Sequence, residues 1–114
     1  MHLERCVQRL AALGDERSAY WEPTLFNLGL AYRRLGQLEA ATRVLEAALE
    51  REVSASSEAA LGLTWQLRGH FERAVERYTH ALALQSDEPV ATAMLPRALD
   101  DLQKLVDFVS GMTV

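Results

Sequence analysis

A pattern of small and large residues recurs in this chain with an offset of 33 positions. Three positions carry a large side chain in both copies: Tyr32 corresponds to Trp65, Leu38 to Phe71 and Leu45 to Tyr78. Eight further residues are identical to their counterparts: Leu28 and Leu61, Gly29 and Gly62, Leu30 and Leu63, Gly36 and Gly69, Glu39 and Glu72, Ala41 and Ala74, Ala48 and Ala81, Leu49 and Leu82. A period of this length predicts stacked supersecondary units.

Each copy has the spacing of two helices joined by a tight turn. Leu25, Leu28 and Tyr32 share one helical face, Gly36 interrupts the run, and a second helical periodicity follows from Leu38 to Leu49. Small residues at Gly29, Ala41 and Ala48 allow the two helices to approach closely, while the larger side chains fill the space beside them.

This arrangement resembles the tetratricopeptide repeat (TPR) family. The resemblance implies an all-α fold, a TPR-type alpha-alpha superhelix with about two full repeats, flanked by an N-terminal half repeat and a C-terminal capping helix. The residues that carry the match are the structural repeat positions Leu28, Gly29, Tyr32, Ala41, Leu45 and Ala48 in the first copy and Leu61, Gly62, Trp65, Ala74, Tyr78 and Ala81 in the second.

The whole chain, 1–114, is predicted to form a single TPR domain. Residues 1–14 have the small and large pattern of a second helix without its first, because Cys6, Leu10 and Leu13 resemble Ala41, Leu45 and Ala48. Repeat one is predicted over 22–54, with Pro23 in the first turn of its first helix, and repeat two over 55–87, capped by Ser54, Ser56 or Ser57. A capping helix is expected over 89–109, broken near Pro96.

Composition excludes several classes of protein. The chain lacks the 18 or more consecutive apolar residues of a membrane span, and its start resembles no secretory signal. A net charge of -4 argues against nucleic acid as a partner. One cysteine, Cys6, cannot form an internal disulfide, which suits a reducing compartment. We therefore expect a cytoplasmic or nuclear protein.

The residue types that carry chemistry are not arranged for it. His2, His70 and His80 lack the spacing of a metal pair, and the repeat glycines do not form a phosphate loop. Cys6 occupies a helix position where a small apolar residue would pack, and Glu72, Asp100 and Asp101 are typical of solvated helix faces. We predict no catalytic residues, no metal and no cofactor, and hence no enzyme.

A binding surface is predicted instead, because the first helix of each pair lines the concave side of such superhelices. Asn27 is the sharpest candidate, since its amide can both donate to and accept from a peptide backbone. Arg33 and Arg34 would meet an acidic partner, and the alternative for all three is an ordinary solvated side chain. The full candidate set is Phe26, Asn27, Leu30, Arg33, Arg34, Ala59, Ala60, Leu63, Gln66 and Leu67.

A more specific resemblance comes from the run Trp21-Glu22-Pro23 before Asn27-Leu28-Gly29, preceded by Leu10 to Gly14 and followed by Val90 to Leu95. It is similar to the sixth, TPR-containing subunits of the anaphase-promoting complex. The resemblance implies a non-catalytic scaffold of a ubiquitin ligase in cell-cycle control, which stacks on other TPR subunits and holds a small partner's extended segment.

Two other classes of TPR protein are alternatives to this resemblance. A chaperone adaptor would place Lys and Asn on the inner helices where Phe26 and Leu30 stand, which argues against that class. A TPR adaptor or assembly module of an unrelated complex would share the same packing residues.

The apolar face of Leu3, Val7 and Leu10 further predicts self-association through the N-terminal helix, or a place within a longer superhelix.

Overall fold

Helix pairs follow one another along the chain, as the repeat pattern predicts. The computed structural model describes residues 18–112, and the side chains from position 24 onward. Within this range the helices are α1 (Ser18–Arg34), α2 (Leu38–Arg51), α3 (Ala55–Leu67), α4 (Phe71–Leu84) and α5 (Pro89–Met112). The predicted half-repeat helix over 1–14, with Cys6 and the surface expected to self-associate, lies outside the described residues.

The turn inside each repeat is closed by a glycine in the left-handed conformation. Gly36 has a φ of 78° and Gly69 a φ of 82°, both in the region that side chains with a Cβ rarely adopt. Beyond each glycine, Gln37 N–H donates to the carbonyl of Tyr32 at 2.9 Å, and His70 N–H donates to that of Trp65 at 2.9 Å. These bonds satisfy carbonyl groups that a helix end leaves free, and they set the angle at which the second helix returns.

The glycines inside the first helices permit the close approach of the paired helices. A Cβ added at Gly29 would lie 2.6 Å from Cγ of Leu45. The same relationship holds one repeat later between Gly62 and Tyr78. Around these contacts the repeat positions Leu28, Tyr32, Ala41, Ala48, Leu61, Trp65, Ala74 and Ala81 are all buried.

Polar caps start two of the helices. Ser57 N–H donates to Oγ of Ser54 at 3.1 Å, so Ser54 is the cap among the three candidate serines. Glu88 caps α5, because its Oε2 accepts a hydrogen bond of 2.6 Å from the N–H of Ala91. Glu88 is only 5% exposed, and this bond gives its buried carboxylate a partner.

The predicted break near Pro96 is wrong, because α5 runs without interruption through that residue for 24 residues. Proline removes one hydrogen bond, to the carbonyl of Thr92 one turn earlier. Thr92 and Pro96 both lie on the exposed side of α5, where water can replace the missing bond, while Ala91 and Ala98 are fully buried. Packing of the buried side therefore holds the helix together.

Two helix bounds also differ from the prediction. The helix α1 begins at Ser18, four residues before the predicted start of repeat one at position 22, so Pro23 does not lie in its first turn. Pro23 removes one backbone hydrogen bond, which is a small loss compared with the remaining backbone hydrogen bonds of a 17-residue helix. At the other end, α5 continues to Met112 instead of ending at position 109, and its side chains from Gln103 onward are exposed.

Candidate functional site

The first helices of the two repeats, α1 and α3, present the surface on which a ligand is predicted to bind. Leu30 and Leu63 occupy equivalent positions, 33 residues apart, and both are half-buried. Both pack against the same core cluster, which includes Leu45, Leu61 and Tyr78. The two leucines therefore lie over one core that spans both repeats. We call the exposed parts of α1 and α3 the inner surface.

Three of the predicted residues are open to solvent on this surface. Asn27 and Arg34 are exposed on α1, and the side chain of Leu67 on α3 is 54% exposed. Arg34 and Leu67 are equivalent positions of successive repeats, so a cation and an apolar side chain follow one another along the inner surface. An exposed leucine of this kind is available to receive an apolar side chain of a ligand.

A polar network joins the last turn of α3 to α4 and α5. The phenol of Tyr78 donates a hydrogen bond of 2.8 Å to Oε1 of Gln66, and Nε2 of Gln66 donates to Oδ2 of Asp101 at 3.3 Å. Burial raises the pKa of the Tyr78 phenol above its ordinary value, the nearby Arg33 guanidinium opposes that rise, and Glu88 adds to it. Tyr78 is therefore a neutral donor near pH 7.

This network changes the role predicted for Gln66. The sequence predicts that its amide contacts a peptide backbone, yet its oxygen and one N–H already bond to Tyr78 and Asp101. One N–H of the amide remains for a ligand. Gln66 thus ties α3 to α4 and α5, and any contact with a peptide is secondary to that role.

Arg33 is half-buried and has spare hydrogen-bonding capacity. Its Nε is buried and has no hydrogen-bond partner among the residues that the structure describes. A buried donor without a partner is costly, and this Nε is covered by the protein itself, so a ligand on the surface does not reach it. Arg33 therefore differs from the ordinary solvated arginine that was the alternative for this position.

Two predicted residues need correction. Ala60 is 6% exposed and Ala59 is 1% exposed, and both belong to the core cluster. In a helix pair this tightly packed, small side chains on the first helix are covered by the neighbouring helices. Phe26 is half-buried against the same cluster and offers only part of its ring to a ligand.

Sequence reasoning missed a second polar cluster, on the side of the second helices α2 and α4. Nη1 of Arg77 lies 3.1 Å from Oε2 of Glu58, which is 5% exposed. The guanidinium groups of Arg68 and Arg73 each lie 4.7 Å from the centre of the Trp65 ring. The sequence contains one sign of this cluster, because the carboxylate of Glu58 occupies the position that Leu25 fills in repeat one.

The acidic and histidine side chains of the described residues are not grouped for metal binding. No group of three or more His, Cys, Asp or Glu side chains in the described part of the chain is placed to hold a metal ion. His70 instead stacks edge to face on Trp65, with ring centres 5.2 Å apart. Among the same residues, no helix combines the length and apolar character needed to cross a membrane.

Comparisons with known proteins agree with the helical repeats. Residues 22–52 match the tetratricopeptide repeat family. Anaphase-promoting complex subunit 6 of Dictyostelium discoideum is 34% identical over 80 residues, which cover 69% of this chain and 9% of that protein. The subunit 6 of Arabidopsis thaliana is 38% identical over 100 residues, which cover 86% of this chain and 18% of the relative.

A human protein is similar to this chain over a comparable length. The cell division cycle protein 16 homolog of Homo sapiens is 32% identical over 96 residues, which cover 82% of this chain and 16% of that protein. The chain thus spans less than a fifth of the length of these relatives. Taken with the helix pairs, the glycine turns and the buried repeat positions, these matches identify the chain as a tetratricopeptide repeat protein that resembles subunit 6 of the anaphase-promoting complex.

Proposed function

We propose that this chain is a non-catalytic scaffold that holds an extended segment of a partner protein on its inner surface. The observation that carries the proposal is that Leu30 on α1 and Leu63 on α3, which are equivalent positions of the two repeats, are both half-buried over one core cluster. Stacked helix pairs curve so that first helices line the concave side, which suits an extended chain.

Polar groups on this surface suit the backbone of such a segment. The exposed amide of Asn27 can donate to one peptide group and accept from another. The half-buried Arg33 adds a cationic side chain near the C-terminal end of α1. Beside them, the half-buried Leu30 on α1 and the half-buried Leu63 and exposed Leu67 on α3 would receive apolar side chains. Polar contacts to the ligand would then come from α1, and apolar contacts to its side chains would come from both first helices.

The relatives support a more specific assignment within this proposal. Proteins named as subunit 6 of the anaphase-promoting complex align with most of this chain at 34% and 38% identity. We assign the chain to a corresponding assembly, in which it contacts other TPR subunits and acts in cell-cycle control by ubiquitin conjugation. Such a protein would act in the cytoplasm or nucleus.

Substitutions on the inner and outer surfaces test this function. The double variant Asn27→Ala, Leu67→Asp removes the amide and places a charge in the apolar part of the inner surface. Arg43→Glu, on the exposed side of α2, is the matched outer control. Thermal melts of both variants should resemble that of the unmodified chain, because all three side chains are exposed.

The readout is the set of proteins that copurify with the tagged chain, identified by mass spectrometry and then tested as purified partners. We expect subunits of an anaphase-promoting complex with the unmodified chain, and at least about tenfold weaker binding of one small partner with the double variant. If the double variant binds as well as the unmodified chain while Arg43→Glu does not, the inner surface is not the binding site.

A further inference from the structure

A groove of about 460 Å³ lies on the other side of the superhelix, between the second helices of the two repeats. Its walls come from α2 and α4, and residues of α3 form its floor. We call it the outer groove. The residues that matter most here are Glu46, Leu49, Glu50, Val53, Leu61 and Trp65. It shares none of these residues with the inner surface, so a ligand bound in the outer groove would be additional to the one proposed for the inner surface.

The floor and one edge of the outer groove are apolar. Leu61 and Trp65 are 2% and 8% exposed and form the bottom, while Leu49 is half-buried above them. Val53, just after α2, is 60% exposed at the rim. A strip of this kind can cover one or two apolar side chains of a ligand, but it is too narrow to be a large dimer interface.

The charges around this strip are unbalanced. Four carboxylates and two guanidinium groups line the groove, which leaves an excess of two negative charges. On the α4 wall, Arg77 already pairs with Glu58 at 3.1 Å and with Glu76 at 3.4 Å. Arg73 on the same wall lies over the Trp65 ring. Both cations of the groove are therefore engaged within the chain.

The excess negative charge is located on α2. Glu46 and Glu50 are exposed and one helical turn apart, so both face the same side of α2 as Leu49, and Val53 follows shortly after the helix ends. Neither carboxylate forms an ion pair or hydrogen bond with another residue of the described range. Two uncompensated carboxylates beside an apolar strip are complementary to a segment that carries both cations and apolar side chains.

We propose that the outer groove is a second docking surface, for a segment of a partner protein in which Lys or Arg side chains flank apolar ones. The apolar side chains would contact Leu49, Val53 and the edge of Trp65, and the cations would contact Glu46 and Glu50. The occupant is not nucleic acid, because its phosphates would be repelled by these carboxylates. A second copy of this chain is also disfavoured, since its own net charge is -4.

Three synthetic tetrapeptides separate the contributions of charge and apolar contact. The probe is acetyl-Arg-Leu-Leu-Arg-amide. The two control peptides are acetyl-Glu-Leu-Leu-Glu-amide, which keeps the apolar side chains, and acetyl-Arg-Ser-Ser-Arg-amide, which keeps the positive charges. Each is titrated into the full chain labelled with ¹⁵N, and the amide shifts and the Trp65 indole N–H are followed. We expect saturable shifts at Leu49, Val53 and Trp65 with the first peptide alone.

Matched variants locate the binding. Glu46→Gln with Glu50→Gln should weaken the probe about tenfold, whereas Glu39→Gln with Glu72→Gln removes the same charge from exposed positions outside the groove and should change little. Val53→Ser should weaken the probe, and Leu84→Ser, at a position of similar exposure on α4, should not.

Several outcomes would overturn the proposal. In the peptide titrations, these are equal shifts with all three peptides, shifts confined to α1, or no saturable shift with the first peptide. In the charge variants, the contradicting result is an equal loss of probe affinity in Glu46→Gln with Glu50→Gln and in Glu39→Gln with Glu72→Gln. The double variant of the inner surface, Asn27→Ala with Leu67→Asp, should bind the probe normally. A failure of inner-surface binding is thereby distinguished from a failure of the outer groove.

Discussion

A methyl group added at Gly62 would lie 2.8 Å from both Cδ1 and Cε1 of the Tyr78 ring. The ring cannot easily move away, because Tyr78 is fully buried and its phenol is held by Gln66. The same methyl group would approach the backbone oxygen of Ala74 to 3.3 Å. The contact between α3 and α4 therefore depends on the absence of a side chain at this position.

Gly62→Ala should lower the free energy of unfolding by about 1–3 kcal/mol through overpacking. Gly111→Ala is the matched control, because that glycine is also helical and has open space around its Cβ position. There the better helix propensity of alanine should leave stability unchanged or raise it by about 0.5–1 kcal/mol. Chemical denaturation measures both changes, and equal stability of the two variants would contradict the packing described.

Gly69→Ala should also destabilise the protein, for a different reason. Its φ of 82° is the left-handed conformation, and no heavy atom lies within 4 Å of its Cβ position, so the cost comes from the backbone and not from a clash. We expect a loss of about 1–2 kcal/mol. Gly36→Ala should cost a similar amount, because the equivalent turn has a φ of 78°. Denaturation curves that shift for neither glycine would argue against these turns.

Arg77→Met should cost about 1–3 kcal/mol, because it leaves the carboxylate of Glu58 buried without its cationic partner. Glu58 is 5% exposed, and Leu25, which occupies the equivalent position in repeat one, is equally buried. The double variant Glu58→Leu, Arg77→Met should therefore recover most of the lost stability, to within about 1 kcal/mol of the unmodified chain. A double-mutant cycle measures the coupling, and strictly additive losses would show that the pair is not energetically linked.

The stability of the protein should fall at alkaline pH because of Tyr78. Burial raises the pKa of its phenol in the folded state. The contribution of this neutral phenol is complete below the unfolded pKa of about 10 and is lost progressively as the pH rises above it. Denaturation measured at several pH values should therefore show a decline above about pH 10 that is smaller in Tyr78→Phe.

Two readouts complete that experiment. Tyr78→Phe should cost about 1 kcal/mol at neutral pH, since Gln66 loses a hydrogen-bond donor. Absorbance of tyrosinate should show one phenol that ionises above the ordinary range in the unmodified chain and is missing in the variant. If the tyrosinate absorbance of the unmodified chain shows no phenol that ionises above the ordinary range, the Tyr78 phenol is solvated and not held by Gln66.

Local sequence patterns were sufficient for the fold. The offset of 33 positions placed Gly36 and Gly69 in equivalent turns and Gly29 and Gly62 at equivalent helix contacts. The predicted all-α TPR superhelix is confirmed. These features are readable because each repeat makes mostly local contacts, so the constraint on a residue comes from neighbours close in sequence.

Features that depend on neighbours distant in sequence were decided by the tertiary structure. The burial of Ala91 and Ala98 kept α5 continuous through Pro96, against the local preference of proline. Asp101 and Tyr78 occupied the amide of Gln66, which by itself looks like a free ligand contact. Such pairings join residues from different helices, and no spacing within one helix reveals them.

The same division holds for the candidate sites. Asn27, Arg34 and Leu67 could be assigned to the inner surface from the repeat register alone, because the register determines which side of a first helix a residue occupies. The outer groove required the tertiary structure, since its acidic edge on α2, its floor on α3 and its paired arginines on α4 meet only when the two repeats stack. Sequence determined the helical faces, and packing between repeats decided which side chains on them remain free to bind.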